Sequence, residues 1–114
     1  MKKIAMLIGI ILFSSNALAD FSGVRSIDRV RVDTQYVYFG ATPTPTNTCS
    51  SWGEDLKFDH TTEYGKSFLS TLLSAKATGA KVDLWYHASS APGTTHENGC
   101  GGEQVSVMTG IAIR

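Results

Sequence analysis

The side chains able to do chemistry crowd into one polar stretch. His87, His96, Glu97 and Cys100 fall within a run rich in Gly, Ser and Thr. Imidazole, carboxylate and thiolate are all zinc donors, but zinc sites draw on closely spaced ligand pairs, and this spacing matches none of them. No metal is expected. Ser, His and Asp are all present, yet no Gly-x-Ser-x-Gly elbow presents a nucleophile. Asp59-His60 reads as the polar lead-in to a helix rather than as an acid–base pair. Gly99, Gly101 and Gly102 surround a cysteine and do not open a helix, which makes a poor phosphate cradle. The chain is therefore read as neither an enzyme nor a cofactor carrier. Trp52 and Trp85 remain, with flat faces suited to stacking on a sugar or to packing in a core or interface.

The residues that precede these decide where they would work. Met1-Lys2-Lys3 is basic, the run from Ile4 to Phe13 is almost wholly apolar, and Ala17-Leu18-Ala19 has the small-x-small form of a cleavage site. This predicts a signal peptide over residues 1–19 and a mature domain over 20–114. The apolar run is too short to span a bilayer stably, so no membrane insertion is expected. An exported chain with two cysteines, Cys49 and Cys100, is expected to join them. Free thiols or a metal site are the weaker readings of the pair. Such a bridge closes a loop of about fifty residues and contributes on the order of 4 kcal/mol in the chain-entropy account. The location is then secreted or periplasmic.

Charge narrows the partners. Two of the ten Lys and Arg residues lie in the leader, which leaves a slight excess of the ten carboxylates. No long positive patch is present for nucleic acid. Arg25, Arg29 and Arg31 interleave with Asp28 and Asp33 and read as a solvated strand face of alternating charge.

The elements that must position the tryptophans follow from periodicity. Val24 to Val32 and Tyr36 to Phe39 alternate as strands joined by a tight turn. The apolar parity changes between Ile27 and Val30, which predicts a bulge or a strand packed on both faces. Gly40 to Ser51 is a polar, proline-containing loop, and a short third strand is expected near Leu56 to Phe58. Tyr64, Phe68, Leu69, Leu72, Leu73 and Ala75 recur at helical spacing, with Thr61 or Thr62 as cap and Gly79 past the end. Lys81 to Tyr86 is a strand with Val82, Leu84 and Tyr86 on one face. In the last strand, Gln104 to Ile113, Val105, Val107, Thr109, Ile111 and Ile113 are expected on one side. The fold class is mainly β with one helix, in the order β-β-β-α-β-β, which suits a five-stranded OB-fold barrel.

Four stretches carry a family likeness. Phe21-Ser22-Gly23-Val24 opens the first strand, Ser67-Phe68-Leu69-Ser70-Thr71-Leu72 opens the helix, Thr78-Gly79 leads into a strand ending in Trp85-Tyr86, and Met108-Thr109-Gly110-Ile111 lies in the last strand. In these the chain resembles the B subunits of subtilase cytotoxin and typhoid-toxin type. The resemblance implies an OB barrel, assembly as a homopentamer, a toxin A subunit as partner, and binding of sialylated cell-surface glycans. It implies Ser22 and Tyr86 as glycan contacts. The family carries two disulfides and a C-terminal extension; this chain has one cysteine pair and ends at Arg114. The competing class is a small secreted or periplasmic structural or interaction protein that shares the barrel without the ligand.

Overall fold

The computed structural model describes residues 20–114, so the expected leader over 1–19 lies outside the described residues. The elements run β1 (Asp20–Val32), β2 (Tyr36–Thr42), β3 (Leu56–Asp59), α1 (Glu63–Thr78), β4 (Val82–Tyr86) and β5 (Ser106–Ile113). The five strands form one closed sheet in the spatial order β1-β2-β3-β5-β4, with β4 returning to β1. All pairings are antiparallel except β3 with β5.

Closure depends on β1, whose thirteen residues serve two partners. Its first half, from Asp20 to Arg25, pairs with β4, and its second half, from Ser26 to Val32, pairs with β2. Register shifts lie between Phe21 and Val24 and between Ile27 and Val30. The second is the parity change expected from the sequence. Bulges bend a strand and increase its twist, which lets a single strand turn from one side of a closed sheet to the other.

The interior is apolar from both halves of the chain. Val37, Phe39, Leu56, Phe58, Val82, Leu84 and Tyr86 are essentially without exposure, and Leu72 and Ala75 of α1 close the packing from one side. Phe58 meets Phe39 and Phe68 edge-on at centroid distances of 6.3 and 5.7 Å. The last strand departs from the expected alternation. Ser106 and Met108 point inward, the register then shifts opposite Trp85–Tyr86, and Ile111 packs on the core beyond the shift. Val107 and Ile113 are exposed. One irregularity had reversed the parity that strict alternation implies.

In α1, Thr62 is the cap: its hydroxyl accepts the Gly65 N–H at 3.0 Å. Gly79 ends the helix in the left-handed region at φ 70°. The buried face is Gly65, Leu72 and Ala75, flanked by Phe68 and Leu69, while Tyr64 and Leu73 face outward. The helix start sits so close to the end of β3 that a Cβ at Gly65 would overlap the Asp59 carbonyl oxygen.

Candidate functional site

Two long loops meet on one side of the sheet, residues 43–55 and 87–105, and Cys49–Cys100 joins them with a Cα separation of 5.7 Å. The expected disulfide is present. Both sulfur-bearing residues are buried, with Val105 and a partly buried Tyr38, in a small cluster separate from the main core. Backbone bonds from Ser50 to Thr94 and from Gly93 to Thr48 run alongside the bridge.

Between these loops and β1 lies a groove of about 640 Å³, lined by Arg29, Arg31, Ser51, Trp52, Glu54, His96 and Cys100–Gly102. Trp52 stands at its rim on a tight hairpin. Ser51 and Glu54 exchange both backbone hydrogen bonds at 3.0 Å, leaving Trp52 and Gly53 as a two-residue loop at φ 55° and 84°. Positive φ at both loop positions is the primed-turn geometry, which favours Asn-Gly or Asp-Gly. A bulky residue at the first position is strained by on the order of 1–3 kcal/mol. Trp52 is nevertheless 68 % exposed, so no burial of its own offsets that strain. Its partner is His96, whose ring stacks on the indole at 3.7 Å and 17°. The Trp52 backbone N–H donates weakly to His96 Nδ1, at 3.4 Å. One indole face is covered and the ring is held in place.

The floor is a locked ion pair. Glu54 is buried, and its carboxylate accepts from Arg31 Nε at 2.7 Å and from Nη2 at 3.0 Å. The Arg31 guanidinium lies 4.3 Å over the Tyr38 ring. The hydrogen bonds to Glu54 raise the Arg31 pKa above its already high ordinary value. Arg29 is the less committed cation: its side chain is 59 % exposed and its Nε stays 3.9 Å from Glu54. Behind the lining residue Gly102, Lys57 Nζ donates to its carbonyl at 2.7 Å, pinning the loop that carries Cys100. Burial lowers the Lys57 pKa. Beneath the hairpin, burial raises the Asp55 carboxyl, which accepts the Ala41 N–H at 3.0 Å.

Ser22 and Tyr86, the contacts implied by the resemblance, lie elsewhere, along the β1–β4 pairing. Ser22 is 8 % exposed; its hydroxyl donates to the Gly23 carbonyl at 2.7 Å and accepts the Leu84 N–H at 3.0 Å. Tyr86 has no exposure, and its phenol donates to the Thr46 carbonyl at 2.7 Å. Both polar groups are engaged within the protein. Their neighbours Phe21 and Trp85 face outward instead, 5.1 Å apart and both exposed.

Of the loop residues weighed as metal donors, His96 is stacked on Trp52 and Cys100 is in the disulfide; no group of three or more His, Cys, Asp or Glu converges among the described residues. The Arg29–Arg31 stretch, expected to be a solvated face, contributes a groove wall because Glu54 of a distant loop reaches it. The missed signal was Ser51-Trp52-Gly53-Glu54, a turn-forming Gly with an aromatic in place of the usual Asn. No family model, curated protein or solved structure matches this chain.

Proposed function

We propose that this chain is an exported glycan-binding protein of toxin B-subunit type, built on an OB fold, with the Trp52 groove as its sugar site. The observation that carries the reading is Trp52 itself. An exposed aromatic plate, held at a strained hairpin tip and backed by His96, offers the apolar face of a pyranose a rigid stacking partner. The closed order β1-β2-β3-β5-β4, with the helix between β3 and β4, supports the OB assignment. The Cys49–Cys100 bond is consistent with an oxidising, non-cytosolic location. No nucleic acid is a partner in this reading.

A screen of residues 20–114 on a glycan array is the test, with Trp52→Ala as the site variant. Trp52→Ala should abolish the signal while leaving the melting curve nearly unchanged. Ser22→Ala and Tyr86→Phe form the second arm. If they remove glycan signal from folded protein while Trp52→Ala does not, the site belongs at the β1–β4 pairing. The homopentamer and the A subunit implied by the resemblance are tested separately. Light scattering that returns a single chain's mass at micromolar concentration excludes a stable ring. The second reading, an interaction protein without a sugar ligand, is favoured by the outward Phe21–Trp85 pair, and an array blank for all glycans would leave it standing.

A further inference from the structure

We propose that Asn98 is a site of spontaneous covalent modification, at which Asn98-Gly99 closes to a succinimide and opens to aspartate and isoaspartate, and that this change releases His96 from Trp52. The chemistry is the loop's own and stands apart from any sugar ligand.

The ring closure needs an asparagine, a following amide with no bulk on its α-carbon, and a polarised side-chain carbonyl. Asn98 is the one asparagine of the chain that precedes a glycine; Asn16 precedes Ala17 and Asn47 precedes Thr48. Asn98 and Gly99 are both exposed and lie in a turn, outside helix and strand. The N–H groups of Asn98 and Cys100 both donate to the Thr95 carbonyl, at 3.0 and 2.9 Å. The Gly99 N–H between them makes no hydrogen bond among the described residues, so the nucleophile breaks no bond before it attacks. Gly99 sits at φ 125°, and a Cβ there would meet nothing within 4 Å, so the chain has room to turn as the ring closes. The electrophile is prepared as well. The Thr95 N–H donates to Asn98 Oδ1 at 2.6 Å, and the Thr95 hydroxyl approaches the same oxygen at 3.3 Å. Donors fixed on a carbonyl oxygen also stabilise the oxyanion that forms when a nucleophile adds to its carbon. Asn47 is placed differently: its side-chain nitrogen donates to Asp20 at 3.3 Å, and the residue after it is the buried, β-branched Thr48.

The bonds balance with water as the only co-reactant. Gly99 N bonds to Asn98 Cγ, the Cγ–Nδ2 bond breaks, and Nδ2 leaves as ammonia with the Gly99 amide proton. Water then opens the ring at either carbonyl. One opening gives aspartate. The other gives isoaspartate, which carries the main chain through Cγ and lengthens it by one carbon. Position gives the change its effect. Cys100 is buried and tied to Cys49, so the added length is taken up on the side of His96. His96 is held to Trp52 by the ring stack and one long hydrogen bond of 3.4 Å. Both products also set a new carboxylate next to Glu97.

The experiment is incubation of the disulfide-bonded protein at mildly alkaline pH and physiological temperature, followed by peptide mass spectrometry. Trp85→Phe leaves Trp52 as the sole tryptophan, so its emission is read in parallel. The Asn98 peptide should lose ammonia and then gain water, while the Asn47 peptide keeps its mass. Trp52 emission should shift in step with the loss of Asn98. Asn98→Gln, which would have to close a larger ring, should hold both its mass and its emission. Circular dichroism checks that both variants fold. The urea-unfolded chain is the reference, and the folded protein should convert at least as fast. Slower conversion in the folded protein than in the unfolded chain, or equal conversion at Asn98 and Asn47, overturns the site. Conversion of Asn98 with unchanged Trp52 emission overturns its link to the groove.

Discussion

Phe58 and Trp52 stand close together in the chain, yet one is 2 % exposed and the other 68 %. Phe58 belongs to the sheet interior, where apolar side chains from every strand and from α1 pack mainly against one another. Trp52 belongs to the loops above it, where a disulfide, a half-buried ion pair and side-chain contacts to loop carbonyls hold the chain. The interior gains stability from area removed from water, a term that tolerates imprecision. The loops gain theirs from a few specific contacts, each of which has to be made. Strain is accordingly found in the second region, at the hairpin tip, where a ligand could use it.

The largest test of this contrast is a cavity in the interior. Phe58→Ala should cost about 3–5 kcal/mol, read by denaturant unfolding, because it removes the ring that joins Phe39 to Phe68. Cys49→Ser should cost about 2–5 kcal/mol. Here the two regions should come apart: Trp52 fluorescence should change, while far-ultraviolet dichroism of the sheet persists below the lowered melting point. Loss of all strand signal at low temperature would show that the loops and the interior are one cooperative unit.

Trp52→Asn should act in the opposite direction. Asn suits the positive φ of the hairpin, so the variant should match or exceed the parent in stability, by up to about 1 kcal/mol, although the His96 stack is lost. A drop of several kcal/mol would mean that Trp52 is a structural residue of the loops. The smallest effect concerns Asp55. Burial raises its folded pKa, so its contribution to stability is greatest at low pH and falls as pH rises through that raised value. Asn at this position keeps an oxygen for the Ala41 N–H without the buried charge. Asp55→Asn should therefore gain on the parent as pH rises from the ordinary carboxylate value through the raised one, and parallel stability curves would contradict the assignment.

The interior was legible in the sequence because periodicity reports burial directly. The element order, a helix cap at Thr61 or Thr62, the Gly79 stop and the irregularity between Ile27 and Val30 all follow from local pattern, and the structure selects Thr62. The β5 parity did not, because the shift there depends on its pairing with β4, and nothing within Ser106–Ile113 announces it. The groove was hidden for a related reason. Arg29 and Arg31 alternate with carboxylates as any exposed strand does, and the decisive contact comes from Glu54, twenty-three positions from Arg31. Ser22 and Tyr86 were legible as residue types, whereas the backbone carbonyl and amide groups that occupy them become visible only once the strands are paired.

The last strand is the keystone of the sheet. β5 is the neighbour of both β3 and β4, and it follows both of them in sequence. While the polypeptide emerges N-terminus first, β1 and β2 can form a hairpin early, but β3 and β4 each keep an open edge until Ser106 and the residues after it arrive. Pairing across such sequence distances is slow relative to local hairpins. The sheet thus stays unclosed until Ser106–Ile113 has been made, and a chain stopped before Ser106 is left with two exposed strand edges, the form most prone to pair with its neighbours.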